Sequence, residues 1–143
     1  IDPESAAYSR AVRYQYIMLA KALMFEGKRD SAVAALDKSL YFFPHAQVPF
    51  DGLMLYQVEA YLQAGAFEQA TALAQQLCRI YGHRLQYAES FPPRFQNSLM
   101  EEIRECLSVM AEMEHILSPF VGREPALQGS IDICKNTLQT YGY

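Results

Sequence analysis

The sequence predicts an all-α chain of six helices in three antiparallel pairs, built as helical hairpin repeats. Three observations predict it. Apolar residues recur at steps of three and four, and no segment shows the alternation of a half-buried strand. Prolines and glycines fall where helices of ordinary length should stop. The third is a pattern written twice, 38 residues apart. Tyr16, Leu19-Ala20 and Leu23 lead to Gly27, then Ala32, Leu36 and Pro44, while Tyr61 leads to Gly65, Ala70, Ala74, Leu77 and Gly82. The step from Gly to Ala is five residues in both copies. A pair of short helices cannot bury its own apolar face, so each pair must lie against a neighbour.

Helix 1 is expected over Pro3 to Glu26, with Tyr8, Val12, Tyr16, Leu19 and Leu23 as its inward stripe. Gly27 stops it at a position where positive φ is easily adopted. Helix 2 is expected to open on Asp30 as N-cap and to turn Ala32, Leu36, Leu40 and Phe43 inward until Pro44. Pro44 to Asp51 holds two prolines and reads as a connector. Helix 3 follows from about Pro49 to Ala64, and Gly65 ends it. Helix 4 begins near Phe67 with Ala70, Leu73, Leu77 and Tyr81 on one face, and Gly82 ends or bends it. Pro92-Pro93 is a boundary that no helix crosses. Helix 5 then carries Leu99, Ile103, Cys106 or Leu107, Met110 and Leu117, and helix 6 carries Leu127, Ile131, Cys134, Leu138 and Tyr141. The expected organisation is one domain: a first hairpin over 1–48, a second over 49–91 and a divergent capping pair over 92–143.

At 143 residues the chain is long enough to bury a core without staples. Its net charge is −4, with acids and bases mixed, so it lacks the basic stripe that phosphate binding requires and nucleic acid is not an expected partner. No window approaches the roughly 18 apolar residues of a membrane span. The chain begins at Ile1, without an initiator Met or a signal-like segment, and is expected to be a fragment of a longer protein. Cys78, Cys106 and Cys134 are too few and too far apart for a zinc ribbon or a redox pair and read as small buried hydrophobes.

The first hairpin resembles a tetratricopeptide repeat position by position: Tyr16, Leu19-Ala20 and Leu23, the turn Gly27, then Ala32, Leu36, Ser39 and the closing Pro44. Small side chains at Ala20 and Ala32 let two helices cross near the short end of about 8–10 Å. The second copy keeps Tyr61, Gly65, Ala70 and Leu77, has Val58 at the small position and ends on Gly82. A closer likeness is carried by Glu26-Gly27-Lys28-Arg29-Asp30-Ser31-Ala32, Leu36-Asp37-Lys38-Ser39-Leu40, Val48-Pro49-Phe50-Asp51, Met54-Leu55 and Glu59-Ala60-Tyr61, and extends through Leu85, Tyr87 and Ser90. This set is similar to the soluble C-terminal region of multi-pass bacterial membrane proteins related to protein O-mannosyltransferases. The resemblance implies an accessory domain outside the bilayer, on the periplasmic side of an inner membrane. It transfers no catalytic residue, because the glycosyl-transfer chemistry of that family belongs to its membrane-embedded part.

Other candidate sites are weak. Glu112 and His115 are i, i+3 neighbours that invite a metal or proton-transfer reading, but an exposed helix pair explains them as well. His45 and His83 stand beside breakers, and Asp51 beside a helix start suits capping. Neither a phosphate loop nor a nucleophile motif appears, so no catalytic residue, metal site or cofactor is expected. The candidate surface is the inner face of the first helices of the repeats: Tyr14, Ile17 and Lys21 beside Leu55, Glu59 and Gln63. These form an amphipathic groove for a protein or peptide, or for another part of the parent protein. The alternative is that helix 5 or upstream chain covers this face. The functional expectation is a non-catalytic interaction domain of a membrane glycosyltransferase-like protein; the alternative is a free-standing peptide-binding adaptor.

Overall fold

The computed structural model describes residues 2–143. Among the described residues there are six α-helices and no strand: α1 (Pro3–Phe25), α2 (Arg29–Phe42), α3 (Met54–Gln63), α4 (Phe67–Glu89), α5 (Gln96–Leu117) and α6 (Leu127–Thr140). Short 3-10 turns at Pro93–Phe95 and Ser118–Phe120, each containing a proline, bound α5. Contacts divide the chain into two compact units, Ile1–Ala70 and Thr71–Tyr143. The division falls inside α4, whereas the expected hairpin limits at 48/49 and 91/92 fall in connectors.

In the first unit, α1 packs against both α2 and α3. Asp2 caps α1, its Oδ1 accepting the Ser5 N–H at 2.9 Å, with Pro3 in the first turn. The buried line of α1 is Ala6, Arg13, Ile17 and Ala20. This corrects the expected stripe, since Tyr8 is 72% and Leu19 49% exposed. The error has a physical source: Arg13 interrupts the true stripe with a charge, so the neighbouring, wholly apolar stripe looked like the core.

The duplication is visible in the backbone. After α1, the Lys28 N–H reaches Leu23 O at 2.8 Å and Gly27 N–H reaches Met24 O at 3.0 Å. After α3, the Ala66 N–H reaches Tyr61 O at 2.9 Å and Gly65 N–H reaches Leu62 O at 3.1 Å. Gly27 and Gly65 have φ of 77° and 76°, the left-handed conformation that lets these bonds satisfy the last carbonyls of each helix. Closure at Gly27 starts α2 at once, so Arg29 opens it. Asp30 therefore lies in the first turn and Lys28 takes the N-cap position without a side-chain bond, in place of the expected Asp30 cap.

Helix α3 begins at Met54, five residues later than Pro49. The reason is Arg13, which is 2% exposed. Its Nη2 donates to Phe43 O at 2.8 Å and to Val48 O, and its Nη1 donates to Pro49 O at 3.3 Å. Carbonyls turned toward a guanidinium are not available to a helix. Phe50 lies 4.9 Å from the Arg13 guanidinium carbon, and its N–H donates to His45 Nδ1 at 2.9 Å. Burial lowers the Arg13 pKa, and Asp51 opposes that shift. Asp51 Oδ1 accepts the Leu53 N–H at 2.9 Å, closing the turn before α3 rather than capping the helix itself.

In the second unit, α5 packs against α6. Arg84 on α4 grips Glu102 on α5 through two bonds of 2.6 and 2.8 Å and reaches Glu105 at 2.9 Å. The Arg84 hydrogen bond holds the Glu102 carboxyl below its usual range. Gly82 does not end α4: it lacks positive φ and the helix runs on to Glu89. An interior glycine costs only about 1 kcal/mol, and Tyr81, Leu85 and Ala88 around it are buried.

Two predictions follow from the Arg13 region. Arg13→Ala leaves three carbonyls short of a donor and is expected to lower unfolding free energy by about 2–4 kcal/mol in urea titration. His45 accepts a hydrogen bond only when its Nδ1 is unprotonated, and burial, then the nearby Arg13 charge, depress its pKa below 6.5. The unfolded chain therefore takes up the proton first. The stabilisation is complete above pH 6.5 and is lost as pH falls through the depressed folded value. His45→Leu should flatten the acid slope of stability between pH 7 and 5 relative to the parent sequence, in denaturation curves at stepped pH (about one-half unit apart).

Candidate interaction surface

The expected inner face is partly assembled. Tyr14 and Tyr56 meet edge to face with ring centroids 6.4 Å apart, joining α1 to α3. Lys21 Nζ sits 4.6 Å from the centroid of the same Tyr56 ring. Glu59 is half-buried and Gln63 exposed on α3. Ile17 and Leu55 do not belong to the surface. They are 0% and 7% exposed and form the seam beneath it, because α1 and α3 approach along this line. Tyr56, 44% exposed, is the residue that the sequence reading missed. Its position one residue beyond Leu55 puts it on the outer side of the seam, within reach of two residues spaced two turns apart on α1.

A second surface lies on the other side of α1. Tyr16, Leu19 and Leu23 line a cavity of about 330 Å³ with Ser31, Ala34, Ala35 and Lys38 of α2. Tyr16 leans on Phe43 with centroids 6.4 Å apart. The repeat gives this surface a reference. A shift of 38 residues carries Tyr16, Leu19, Ala20 and Leu23 onto Met54, Gln57, Val58 and Tyr61. Those four α3 residues are 0% exposed. Helix α2 lies over them: Gln57 Nε2 donates to Leu36 O at 3.0 Å and the Tyr61 hydroxyl donates to Asp37 Oδ1 at 2.7 Å. Burial and the Asp37 carboxylate both push the Tyr61 phenol up, so it stays a donor. On α1 the corresponding face carries leucines at the two polar positions, and Leu19 remains half exposed.

The other sequence candidates stay apart. Glu112 and His115 are exposed on α5, and His83 is exposed on α4. Among the described residues no three His, Cys, Asp or Glu side chains group as a metal site, and no helix is long and apolar enough to cross a membrane. Comparisons with protein-family models, with curated proteins and with solved structures return no significant match to this chain.

The two faces of α1 make opposite predictions. Ile17→Ala is expected to cost about 2–4 kcal/mol in chemical denaturation, as a buried aliphatic truncated at the seam. Leu19→Ser is expected to change stability by no more than about 0.5 kcal/mol, because the open face is a surface in the isolated chain.

Proposed function

We propose that this chain is a non-catalytic protein-interaction domain of tetratricopeptide type, an accessory part of a multi-pass bacterial membrane protein of the O-mannosyltransferase-related kind. The observation that carries the interaction reading is the open face of α1. Its repeat-equivalent on α3 is fully buried, whereas Tyr16 and Leu23 are half-buried and Leu19 is 49% exposed along the open cavity that they share with α2. Repeats pack in one sense along the array, so the occupant that fits is a second helix like α2, laid against α1 as α2 is laid against α3. With Leu19 and Leu23 replacing Gln57 and Tyr61, that occupant presents aliphatic side chains where α2 presents a carbonyl and a carboxylate. The Tyr14, Tyr56 and Lys21 cluster on the opposite side of α1 offers a cationic, aromatic rim for a peptide segment.

The membrane-protein assignment rests on the resemblance of the Glu26–Ala32, Val48–Asp51 and Glu59–Tyr61 segments. It puts the parent in an inner membrane with this domain on the periplasmic side, where it engages acceptor protein, another subunit or the membrane part itself.

A photoreactive benzophenone side chain at Leu19 in the full-length parent, expressed in its own membranes, tests this reading. The expected result is a strong cross-link to one helical segment, of the parent or of a single partner, absent when the probe sits at the exposed Gln86. Equal labelling from both positions contradicts the interaction reading. A parent lacking apolar stretches of about 20 residues contradicts the membrane assignment and leaves the free-standing adaptor.

A further inference from the structure

Three sulfur atoms from three helices meet inside the unit Thr71–Tyr143. Cys78 Sγ on α4 lies 3.6 Å from Met113 Sδ on α5 and 4.0 Å from Cys134 Sγ on α6. Cys78 is 3% exposed and the other two are 0% exposed, and both thiols are free. Ser130, one turn before Cys134 on α6, brings its carbonyl oxygen to 3.9 Å from Cys78 Sγ. The Ser130 hydroxyl is itself buried without a hydrogen-bond partner. A buried hydroxyl with no partner is unusual in an apolar helical core and stands one turn from Cys134.

The two distances from Cys78 Sγ, to Met113 Sδ and to Cys134 Sγ, are those expected between sulfurs bound to one metal ion. Metal–sulfur bonds of about 2.3 Å, arranged in a plane at equal angles, separate the sulfurs by about 4 Å. Two thiolates and a thioether are soft donors that select a soft ion. Four-coordinate zinc needs a fourth ligand, and no grouping of three His, Cys, Asp or Glu is present among the described residues to supply a zinc set.

We propose that Cys78, Met113 and Cys134 form a binding site for one soft monovalent metal ion, Cu(I). Binding makes two copper–thiolate bonds and one copper–thioether bond, breaks two S–H bonds and releases two protons to solvent. The two Sγ atoms lie 4.0 Å apart, within reach of one shared S–H proton. The metal then takes the place of the proton shared between them. Cys106, buried on α5 with its thiol pushed up to about 11 by burial, is not part of the site.

The test is anaerobic titration of the reduced chain with Cu(I) against a chromogenic Cu(I) chelator, with X-ray absorption on the loaded protein. One equivalent per chain, three sulfur neighbours and a raised Tm are expected. Cys78→Ala and Cys134→Ala should each weaken binding by roughly 100-fold or more, and Met113→Leu by about tenfold. Cys106→Ala should bind as the parent sequence does, and circular dichroism checks that each variant is folded. Absence of binding while all three thiols react as free overturns the proposal. So does binding that survives Cys78→Ala or depends on Cys106, or conversion of the pair to a disulfide in place of metal uptake.

Discussion

A guanidinium withdrawn from water must find acceptors for its donors, and Arg13 finds three on a single stretch of chain. Phe43, Val48 and Pro49 all turn their carbonyls toward it, and Phe50 lies across its face. Burying that charge is expensive in itself and is offset by the three carbonyls on Nη1 and Nη2, which leave only Nε buried without a partner. The consequence is geometric. A connector with two prolines, which by composition has no fixed path, is tied to the middle of α1. That tie sets where α2 stops and where α3 starts, and so decides which face of α3 meets α1 and α2. His45 completes the knot by accepting the Phe50 N–H.

The turns at Gly27 and Gly65 make the same hydrogen bonds, shifted by 38 residues. Each closes the end of its own helix, α1 or α3, in the same local manner. Equivalent residues on α1 and α3 therefore have comparable surroundings to offer, and the contrast between them is informative. Gln57 and Tyr61 use their polar atoms on α2, whereas Leu19 and Leu23 line an open cavity beside α2 without filling it. Leu19, 49% exposed at the mouth of the α1–α2 cavity, is the strongest functional signal on the first unit. In the second unit, the signal is chemical: sulfurs converge where aliphatic side chains are sufficient for packing.

Much of the helix inventory was legible because it depends on local chemistry. Glycine at a left-handed position, paired prolines and a steady 3.6 period identify all six helices, and the ends at Gly27, Gly65 and Leu117 lie within a residue or two of expectation. What failed did so for non-local reasons. The start of α3 and the buried stripe of α1 were misread together, since both depend on a buried arginine whose acceptors lie 30 or more residues away. Gly82 was misread because a glycine looks the same in sequence whether its φ is positive or helical. In the candidate surface, Tyr14, Lys21, Glu59 and Gln63 stand at or near the surface. Ile17 and Leu55 lie one layer deeper, a distinction set by how closely two helices approach. Tyr56 and the α1–α2 cavity needed the packing to be known, and the meeting of Cys78, Met113 and Cys134 joins residues up to 56 apart.

The most direct measurement on the central claim is amide hydrogen exchange across residues 43–53 of the unmodified chain. Val48 donates to Pro44 O at 2.9 Å and Phe50 to His45, under an arginine that fixes the carbonyls around them. The account predicts that these two amides exchange about as slowly as those in the middle of α3. Exchange of Val48 and Phe50 at the rate of an unstructured chain, while α1, α2 and α3 stay protected, would contradict it.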